Sequence, residues 1–480
     1  MENTATLNKM GTVPVKKLLL TMGLPMIVSM ALQAFYNIVD SYFVSGMPGA
    51  DGLPNAGECG LAALTLAFPV QMLMIAVGVG TGVGVNALLS RSLGQGDREK
   101  AGRIAGNAIF LGLCTYAAFL LVGLFGVGAY LRSQTNDPDI LQMGGEYLGI
   151  CAVFSFGAIL SMIYEKLLQG TGRTVVSTCG QLAGAAANIV LDPIMIFGLL
   201  GCPALGIAGA AYATVIGQTV TFAVYALFYH IRNKDLDTRF SRLKPDGAAI
   251  AEIYKIGVPA ILMQALMSFT AYGANLILGR VSPAAVTAYG TYYKIQQFVF
   301  FAAFGMNNAL IPIAAFNYGM RDRRRVNETI RYGMAYTLAI MILGAILLQA
   351  LAKPLMGLFS LSDATLALCV AAIRVITVGY PFAGANITYQ GVFQAFGKGV
   401  RSLAVSALRL VVVALPAAFL LTLSSRAETV VWWAFPIAEG FALAAAVFLF
   451  RRLKKERIDR GMTNDGGGQM TEGGQMTNDK

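Results

Sequence analysis

The segment Leu93-Gly-Gln-Gly-Asp-Arg98 recurs as Tyr318-Gly-Met-Arg-Asp-Arg323, 225 residues further along the chain. The same offset relates Gln169-Gly-Thr-Gly-Arg173 to Gln394-Ala-Phe-Gly-Lys398. These matches run through residues 60–230, so a unit of that length is present twice. The sequence therefore predicts two copies of one fold rather than a single continuous bundle.

The repeat extends upstream with a slightly larger offset. Gly23-Leu-Pro25 matches Gly257-Val-Pro259 at 234 residues, and the difference falls in the loop at 47–60. We therefore expect a first lobe at 1–231, a polar linker at 232–249 and a second lobe at 250–455. The polar residues 456–480 are expected to be disordered, because they hold too few apolar groups to form a core.

The composition indicates that both lobes lie in a membrane. Hydrophobic residues make up 56% of the 480 residues and charged residues 13%. A soluble chain averages roughly 45–50% apolar and about 25% charged residues. Because a transmembrane helix needs ~20 apolar residues, the chain has enough for twelve. The sequence thus predicts an all-α polytopic membrane protein with twelve transmembrane helices in two pseudo-symmetric six-helix lobes.

Apolar runs place these spans between short polar turns. The predicted spans are 16–46, 60–90, 104–130, 140–169, 174–200, 206–231, 250–279, 284–316, 328–352, 364–394, 401–423 and 429–450. Each copy holds an even number of spans, so both lobes have the same orientation and are related by an axis along the membrane normal. Such a pair suits alternating access, although two fused bundles with a static interface give the same pattern.

The basic residues predict the orientation. Most of the 36 Lys and Arg residues fall at the two termini and in alternate loops, whereas Arg132, Arg280, Lys353 and Arg426 fall in the intervening loops. Positively charged loops stay in the cytoplasm, so both termini are expected there. The net charge of +11 is spread over these loops, which indicates contact with anionic lipid and not with nucleic acid.

The first lobe has polar residues within its spans. Asp40 and Asp192 lie six and nine residues before the predicted outer ends of spans 1 and 5, about 9–14 Å deep. Asn188 and Tyr36 lie one turn from these acids, and Thr214 of span 6 reaches a similar depth. We therefore expect one polar cluster.

An ionisable group in a span costs roughly 2.5–3.5 kcal/mol, which makes this cluster a functional candidate. Two carboxylates in one low-dielectric site cannot both ionise cheaply, so we expect one of them to hold a proton. The oxygens of Asp40, Asn188, Asp192 and Thr214 also suit Na⁺. A network that only ties helices together stays an alternative, as does Asp192 capping a helix broken at Pro193.

Other charges within spans are harder to assign. Glu165 is predicted nearer the inner surface, beside Lys166, as a further proton-binding candidate or an interfacial charge. The second lobe contains Lys294, Arg374, Arg409 and Glu439 instead. We expect Glu439 to pair with Arg409 or Lys294, and the ionic switch to lie in the first lobe only.

Enzymatic chemistry is not expected. The chain has one histidine, and its six cysteines show no paired spacing. The glycine-rich run Gly78–Gly84 follows no strand, so it is expected to allow close helix packing and not to bind a nucleotide. We therefore predict no catalytic residue and no cofactor.

Five stretches resemble the MATE (multidrug and toxic compound extrusion) family. They are Pro25, Asn37-Ile-Val-Asp40, Ser90-Arg-Ser-Leu-Gly-Gln-Gly-Asp97, Asn188-Ile-Val-Leu-Asp-Pro193 and Gly206-Ile-Ala-Gly-Ala-Ala-Tyr-Ala-Thr214. The resemblance covers roughly residues 10–450 and is nearer the DinF-like and Staphylococcus-type branch. It implies a V-shaped pair of lobes in a bacterial cytoplasmic membrane. It also implies a secondary-active antiporter that exports amphipathic, often cationic, compounds in exchange for inward H⁺ or Na⁺.

The resemblance also implies roles for residues. It assigns a cation site to Asp40, Asn188, Asp192 and Thr214, with Glu165 nearby, and a hinge to Pro25. The sodium-coupled branch has a Glu where this chain has Met267, which favours protons. Substrate would lie against Met and aromatic side chains, which pack adaptably around aromatic cations. The candidates are Gln33, Met263, Met267, Tyr292, Tyr293 and Met306.

Two other functions stay open. A flippase for lipid-linked oligosaccharide shares the broad superfamily but needs several Arg in its cleft, and the spans hold few cations. A channel would conduct without a counter-ion gradient. We expect a monomer whose partners are small organic substrates and the bilayer.

Overall fold

The computed structural model describes residues 8–47, 56–232, 244–357 and 362–459, and within helices it leaves out the side chains of Ala34, Tyr36, Asn37, Ile38 and Glu58. Among the described residues, eleven long apolar helices and one bent pair of helices are each long enough to span a membrane, which confirms the predicted all-α fold class. No strand occurs in the described residues.

The first lobe is built from helices α1 to α6. They are α1 Val15–Ser45, α2 Ala56–Gly94, α3 Arg98–Arg132, α4 Pro138–Val153 with Phe156–Gly170, α5 Thr174–Phe197 and α6 Ile207–Arg232. A short helix, Lys9–Thr12, precedes α1. The two parts of α4 are bent by 46°.

The second lobe follows with α7 to α12. They are α7 Gly247–Gly279, α8 Pro283–Gly319, α9 Arg323–Ala350, α10 Asp363–Ala395, α11 Gly399–Thr422 and α12 Ala427–Asp459. Another short helix, Ala352–Gly357, follows α9. The helix α7 begins inside the segment 232–249, for which a linker is predicted, and 233–243 lie outside the described residues.

The helices pack in the same order within each lobe. In the first lobe α2 contacts α3 and α4, α5 contacts α1 and α6, and α4 contacts α6. The second lobe repeats this with α8 on α9 and α10, α11 on α7 and α12, and α10 on α12. The lobes meet where α1 packs on α8, α2 on α7, and α2 on α8.

The repeated sequence segments build equivalent turns. Gly96 and Arg321 both adopt the left-handed conformation, with φ of 74° and 58°. The next residue caps the following helix in each case. Asp97 and Asp322 accept the main-chain N–H three residues ahead, at 2.8 and 2.9 Å. A carboxylate at this position satisfies an N–H that would otherwise lack a partner.

The lobes touch backbone to backbone where α2 crosses α8. A methyl group at Gly94 would collide with the carbonyl oxygen of Phe316, and one at Gly319 with that of Arg91. The repeat offset relates Gly94 to Gly319 and also Arg91 to Phe316, so the two contacts are equivalent. Glycine is needed at both positions because a side chain would hold the helices apart.

We call the side of the molecule at which α2 crosses α8 the basic end. It comprises the start of α1, the α2–α3, α8–α9 and α10–α11 turns and the end of α12. Polar contacts join the lobes here: Lys100 pairs with Glu252 at 3.0 Å, and the Asp246 main-chain N–H donates to the Asn107 side chain at 2.8 Å. The lobes are therefore closed at the basic end.

Helix α1 contains Pro25, the predicted hinge residue. It runs as a single helix from Val15 to Ser45 with Pro25 inside it. The Thr178 hydroxyl of α5 donates to the Pro25 carbonyl at 2.7 Å. This hydrogen bond ties the proline turn of α1 to its neighbouring helix.

The end of α12 differs from the prediction. The helix continues through Asp459, so 456–459 are helical although the sequence predicts a disordered tail from 456. Ion pairs from Arg401 to Glu456 at 2.9 Å and from Arg323 to Asp459 at 2.7 Å hold this last turn against the second lobe. The remainder of the predicted tail, 460–480, lies outside the described residues.

We predict that Gly94→Ala shifts the protein away from the state closed at the basic end. Alanine stabilises a helix by about 1 kcal/mol relative to glycine, so helix propensity does not open the crossing. The shift must come from the contact of the new methyl group with Phe316, because overpacking costs about 1–3 kcal/mol. Double electron–electron resonance between spin labels at the exposed Arg98 and Arg324 would show a larger long-distance population.

The control is Gly290→Ala on α8, where an added methyl group meets no atom within 4 Å. This variant should keep the wild-type distance distribution. Identical distributions for wild type and Gly94→Ala would show that the crossing tolerates a methyl group.

We also predict that Thr178→Val loosens α1 around Pro25. The change preserves the side-chain shape and removes a hydrogen bond that contributes roughly 0.5–1.5 kcal/mol. Hydrogen–deuterium exchange of α1 peptides should therefore speed up. In Thr115→Val, which removes a hydroxyl bonded to Leu111 in its own helix, α1 should exchange at the wild-type rate. Unchanged exchange in both variants would contradict a tie at Pro25.

Candidate functional site

Four polar side chains from three helices are buried in the first lobe. Asp40 comes from α1, Asn188 and Asp192 from successive turns of α5, and Thr214 from α6; each side chain is less than a tenth exposed. Asp192 lies close enough to Asp40 for their charges to interact. The structure thus brings Asp40, Asn188 and Asp192 together, and Thr214 is buried on α6, which packs against α5; we call these four residues the carboxylate cluster.

The cluster leaves polar atoms without partners. Asn188 Nδ2 donates to Asp192 Oδ1 at 3.1 Å. Four other buried oxygens have no hydrogen-bond partner within the described residues: Asp40 Oδ1, Asn188 Oδ1, Asp192 Oδ2 and Thr214 Oγ1. An unsatisfied buried polar group costs roughly 1–3 kcal/mol. A proton or a cation among these oxygens would supply the missing interactions.

Close helix packing positions these residues. A Cβ atom on Gly217 of α6 would lie 2.9 Å from the Cβ of Asn188, so α6 approaches α5 directly beside the cluster. Helix α5 continues through Pro193 to Phe197. Asp192 therefore does not cap a broken helix, and its side chain bonds to Asn188 one turn earlier.

The other two predicted members are Tyr36 and Glu165. The side chain of Tyr36 lies outside the described residues. Glu165 accepts a hydrogen bond from Gln169 at 2.6 Å, and Gln169 in turn accepts one from Lys166 at 2.9 Å. Glu165 also interacts with Tyr225, which bonds the Ser177 carbonyl. Glu165 lies six residues before the turn at 171–173, whereas Asp192 lies eighteen residues after Thr174, so Glu165 is nearer the basic end than the cluster.

The second lobe contains a cavity of about 120 Å³ in place of an acidic cluster. It is enclosed by helices α7, α8, α10, α11 and α12. Its lining is mainly aromatic with several amide and charged groups: Met267, Thr270, Tyr289, Tyr292, Tyr293, Gln296, Gln297, Phe300, Tyr380, Arg409, Phe435 and Glu439. A mixed lining of this kind has the chemistry of a site for an amphipathic organic molecule, although its volume is smaller than the roughly 300–1,000 Å³ of most such sites.

A buried ion pair forms one wall of this cavity. Arg409 Nε lies 3.3 Å from Glu439 Oε1, and the two side chains are 9% and 14% exposed. Asn386 donates to Glu439 Oε2 at 2.8 Å. The repeat places Glu439 at the position equivalent to Thr214. The second lobe therefore has, at that position, an acid whose charge is balanced by Arg409. Lys294 is exposed, so the predicted pairing of Glu439 is with Arg409.

Three of the predicted substrate residues line this cavity and three do not. Met267, Tyr292 and Tyr293 are in its wall. Met263 is packed inside the second lobe, where it accepts the Ser402 hydroxyl at 3.3 Å. Met306 is 2% exposed and fills the seam against Gly23 of α1, with its sulfur 2.8 Å from the Cβ position of that glycine. Gln33 is half-buried on α1.

Sequence reasoning missed Thr270, Tyr380 and the adjacent Gln296 and Gln297 as cavity residues. The glutamine pair could have been predicted to face the interior of the lobe, because two consecutive amides in an apolar span are costly to expose to lipid. Tyr380 carries none in the sequence. Its exposure is 1% and its hydroxyl lies 3.2 Å from that of Tyr292, a contact set by the packing of α10 on α8.

Known proteins resemble this chain over nearly its whole length. The multidrug export protein MepA of Staphylococcus aureus is 27% identical over 442 residues, 92% of this chain and 94% of that protein. MepA of Staphylococcus haemolyticus is 26% identical over 438 residues, 91% and 94% of the two chains.

Solved structures share the fold. An outward-facing MATE transporter of the MOP superfamily superposes with a TM-score of 0.87 at 23% identity, covering 96% of this chain and all of that one. A MATE transporter from Vibrio cholerae gives 0.84 at 22% identity, covering 93% and 98%.

The family model MatE matches two stretches of the chain, residues 25–194 and 259–420. They begin at Pro25 and Pro259, which the internal repeat pairs, and together they cover more than half of the sequence. The chain is therefore a multi-pass membrane protein that belongs to the MATE family, a family of transporters and not of enzymes.

Proposed function

We propose that the protein is a secondary-active exporter of amphipathic, often cationic, organic compounds, driven by inward movement of H⁺ or Na⁺. The observation that carries this is the carboxylate cluster, where two acids and four unpartnered buried oxygens share one site. The cavity of the second lobe supplies a separate place for substrate. The relatives named as multidrug export proteins support the same function.

The cluster would couple to transport through its charge. With both carboxylates ionised, the repulsion between Asp40 and Asp192 opposes their close approach. A proton or a sodium ion removes this repulsion and lets α1 pack against α5. Protonation from outside thereby lowers the charge of the first lobe and lets α1 reshape near Pro25, where the Thr178 hydrogen bond ties it, and deprotonation toward the cytoplasm resets it. We infer that Pro25 is the hinge at which α1 then bends.

The direction of transport depends on which side of the membrane the basic end faces. If the basic end lies in the cytoplasm, as the distribution of Lys and Arg predicts, the closed basic end makes this the outward-facing state. Protons would enter the cluster from outside, and substrate would leave. We place the protein in a bacterial cytoplasmic membrane as a monomer.

The absence of a second-lobe acid at position 267 favours protons over sodium as the coupling ion. Met267, at the position where the sodium-coupled branch has a Glu, contributes a thioether to the second-lobe cavity. Among the described residues no group of three or more His, Cys, Asp or Glu side chains gathers. The four oxygens of the cluster still offer Na⁺ a set of ligands, so the coupling ion is decided by experiment.

The oligosaccharide flippase is the weaker function. Its anionic lipid substrate requires unpaired cations in the cleft. Arg409 lines the second-lobe cavity but pairs with Glu439, so it offers no net positive charge to a pyrophosphate group.

We predict that Asp40→Asn and Asp192→Asn each abolish coupled export. The amide keeps the shape of the carboxylate but cannot exchange a proton. Ethidium efflux from proteoliposomes would fall to the protein-free level under an imposed ΔpH, or under an imposed ΔNa⁺ if sodium is the coupling ion. Expression and thermal stability would remain.

Glu165→Gln is the matched control, because it removes a carboxylate of the same lobe outside the cluster. It should retain gradient-driven efflux. Full efflux by both Asp variants would remove the cluster from the mechanism, and efflux without any gradient in wild type would indicate a channel.

We predict that Tyr293→Leu weakens the binding of aromatic cations. A cation–π contact contributes about 0.5–2 kcal/mol, so the affinity for ethidium should fall roughly 2- to 30-fold in fluorescence titrations. Tyr389→Leu removes a ring that packs on Phe450 away from the cavity and should bind ethidium normally. Equal affinities in all three proteins would place the substrate elsewhere.

A further inference from the structure

A second cavity lies at the seam between the lobes, at the basic end. Its volume is about 260 Å³. The first lobe lines it with Arg91 and Lys100, and the second lobe with Lys255, Lys398 and Arg457. We call it the basic pocket. It is separate from both the carboxylate cluster and the second-lobe cavity, so nothing in the proposed export cycle uses it.

The basic pocket has an excess of positive charge. Five cationic side chains and one carboxylate, Glu252, line it, and Glu252 is paired with Lys100 at 3.0 Å. The other four cations, Arg91, Lys255, Lys398 and Arg457, form no ion pair with a carboxylate among the described residues. A pocket lined this way attracts anions and rejects the cationic compounds that the second-lobe cavity suits.

The neighbouring acids are already engaged. Glu456, adjacent to Arg457, pairs with Arg401 at 2.9 Å and with Arg452 at 3.3 Å. Asp459 pairs with Arg323. Burial lowers the pKa of Lys398, and the nearby Arg457, Arg401 and Lys255 lower it further, although Glu456 opposes this. The cations therefore repel one another without full compensation by the protein itself.

The pocket is also built to hold an anion in place. The Arg91 guanidinium stacks over the Tyr318 ring, 4.9 Å from its centre, which fixes its planar fork. Ser92, 1% exposed, and Gln95 add polar side chains to the same wall. An arginine fork with several lysines matches the tetrahedral, multiply charged phosphate group.

We propose that the basic pocket binds a phosphate-bearing anion, and that the bound anion stabilises the state closed at the basic end. Its cations come from both lobes, and the crossing of Gly94 with Gly319 holds them together. When the lobes separate here, the pocket is divided. An anion that binds only the undivided pocket shifts the population toward the closed state. Without it, repulsion among the cations favours opening.

The phosphate group has two sources. The basic end would lie at the level of lipid headgroups, so an anionic phospholipid can reach it, and a soluble phosphate can enter from water. Both present the same chemistry to Arg91 and Lys398. The two are separated by the experiment.

The test measures conformation and binding, not transport, so it can succeed or fail independently of the export hypothesis. The full-length protein, spin-labelled at Arg98 and Arg324, is placed in phosphatidylcholine nanodiscs and titrated with inorganic phosphate at constant ionic strength, since salt alone screens charge. A second series replaces part of the phosphatidylcholine with phosphatidic acid. We expect the short-distance population to rise in at least one series.

The pocket variant is Lys398→Gln with Arg457→Gln. The matched control is Lys454→Gln with Lys455→Gln, an equal loss of charge from exposed residues of the same helix end that do not line the pocket. The pocket variant should require about tenfold more anion for the same shift, whereas the control should match wild type. Lys255→Gln, a single exposed change on α7, gives a second test if the double variant is unstable.

A response to phosphate alone assigns the site to a soluble anion, and a response to phosphatidic acid alone assigns it to a lipid headgroup. A response to both supports the shared phosphate chemistry. No response in either series overturns the proposal. A response of equal size in the pocket variant and in the wild type also overturns it, because the charge would then act from elsewhere.

Discussion

Direct contact between two backbones determines how this transporter is assembled. Helices α2 and α8 have glycine at the same place in the repeat, and each glycine rests against a carbonyl of the other helix. Because there is no hydrophobic driving force between helices in lipid, such close contact is a main source of association. The contact lies at one end of the molecule. Each lobe can therefore keep its own internal site while the seam at the basic end opens and closes.

The two lobes share one helix arrangement but differ in the charged groups that they bury. The first keeps two carboxylates with partners missing, whereas the second pairs its acid with Arg409. A buried ion pair is expensive to break, since a lone charge would remain in a low dielectric. The second lobe is thus unsuited to gaining and losing ions during a cycle. In the proposed cycle its aromatic cavity would change occupant without a change of charge, which would separate ion binding from substrate binding.

The sequence predicts the fold well because membrane insertion leaves a coarse and strong signal. The spans, the repeat and the four residues of the carboxylate cluster all follow from apolar runs, internal offsets and depth below a surface. The prediction of cavity residues fails because the sequence does not show which face of a helix lines the cavity and which face contacts lipid. In lipid both the outer and the core faces of a helix are apolar, so Met263 and Met306 resemble Met267 in pattern, although only Met267 lines the cavity.

Helix α1 contacts both the carboxylate cluster and the second lobe. A helix that runs unbroken through Pro25 lacks one main-chain hydrogen bond, and the Thr178 hydroxyl holds the turn at that point. The same helix places Asp40 beside Asp192, and packs along α8 near the seam between the lobes. A change of charge at one end of α1 therefore acts on a helix that is weakest in its middle and in contact with the opposite lobe. In the proposed cycle, this one helix would link ion binding in the first lobe to the relative position of the two lobes.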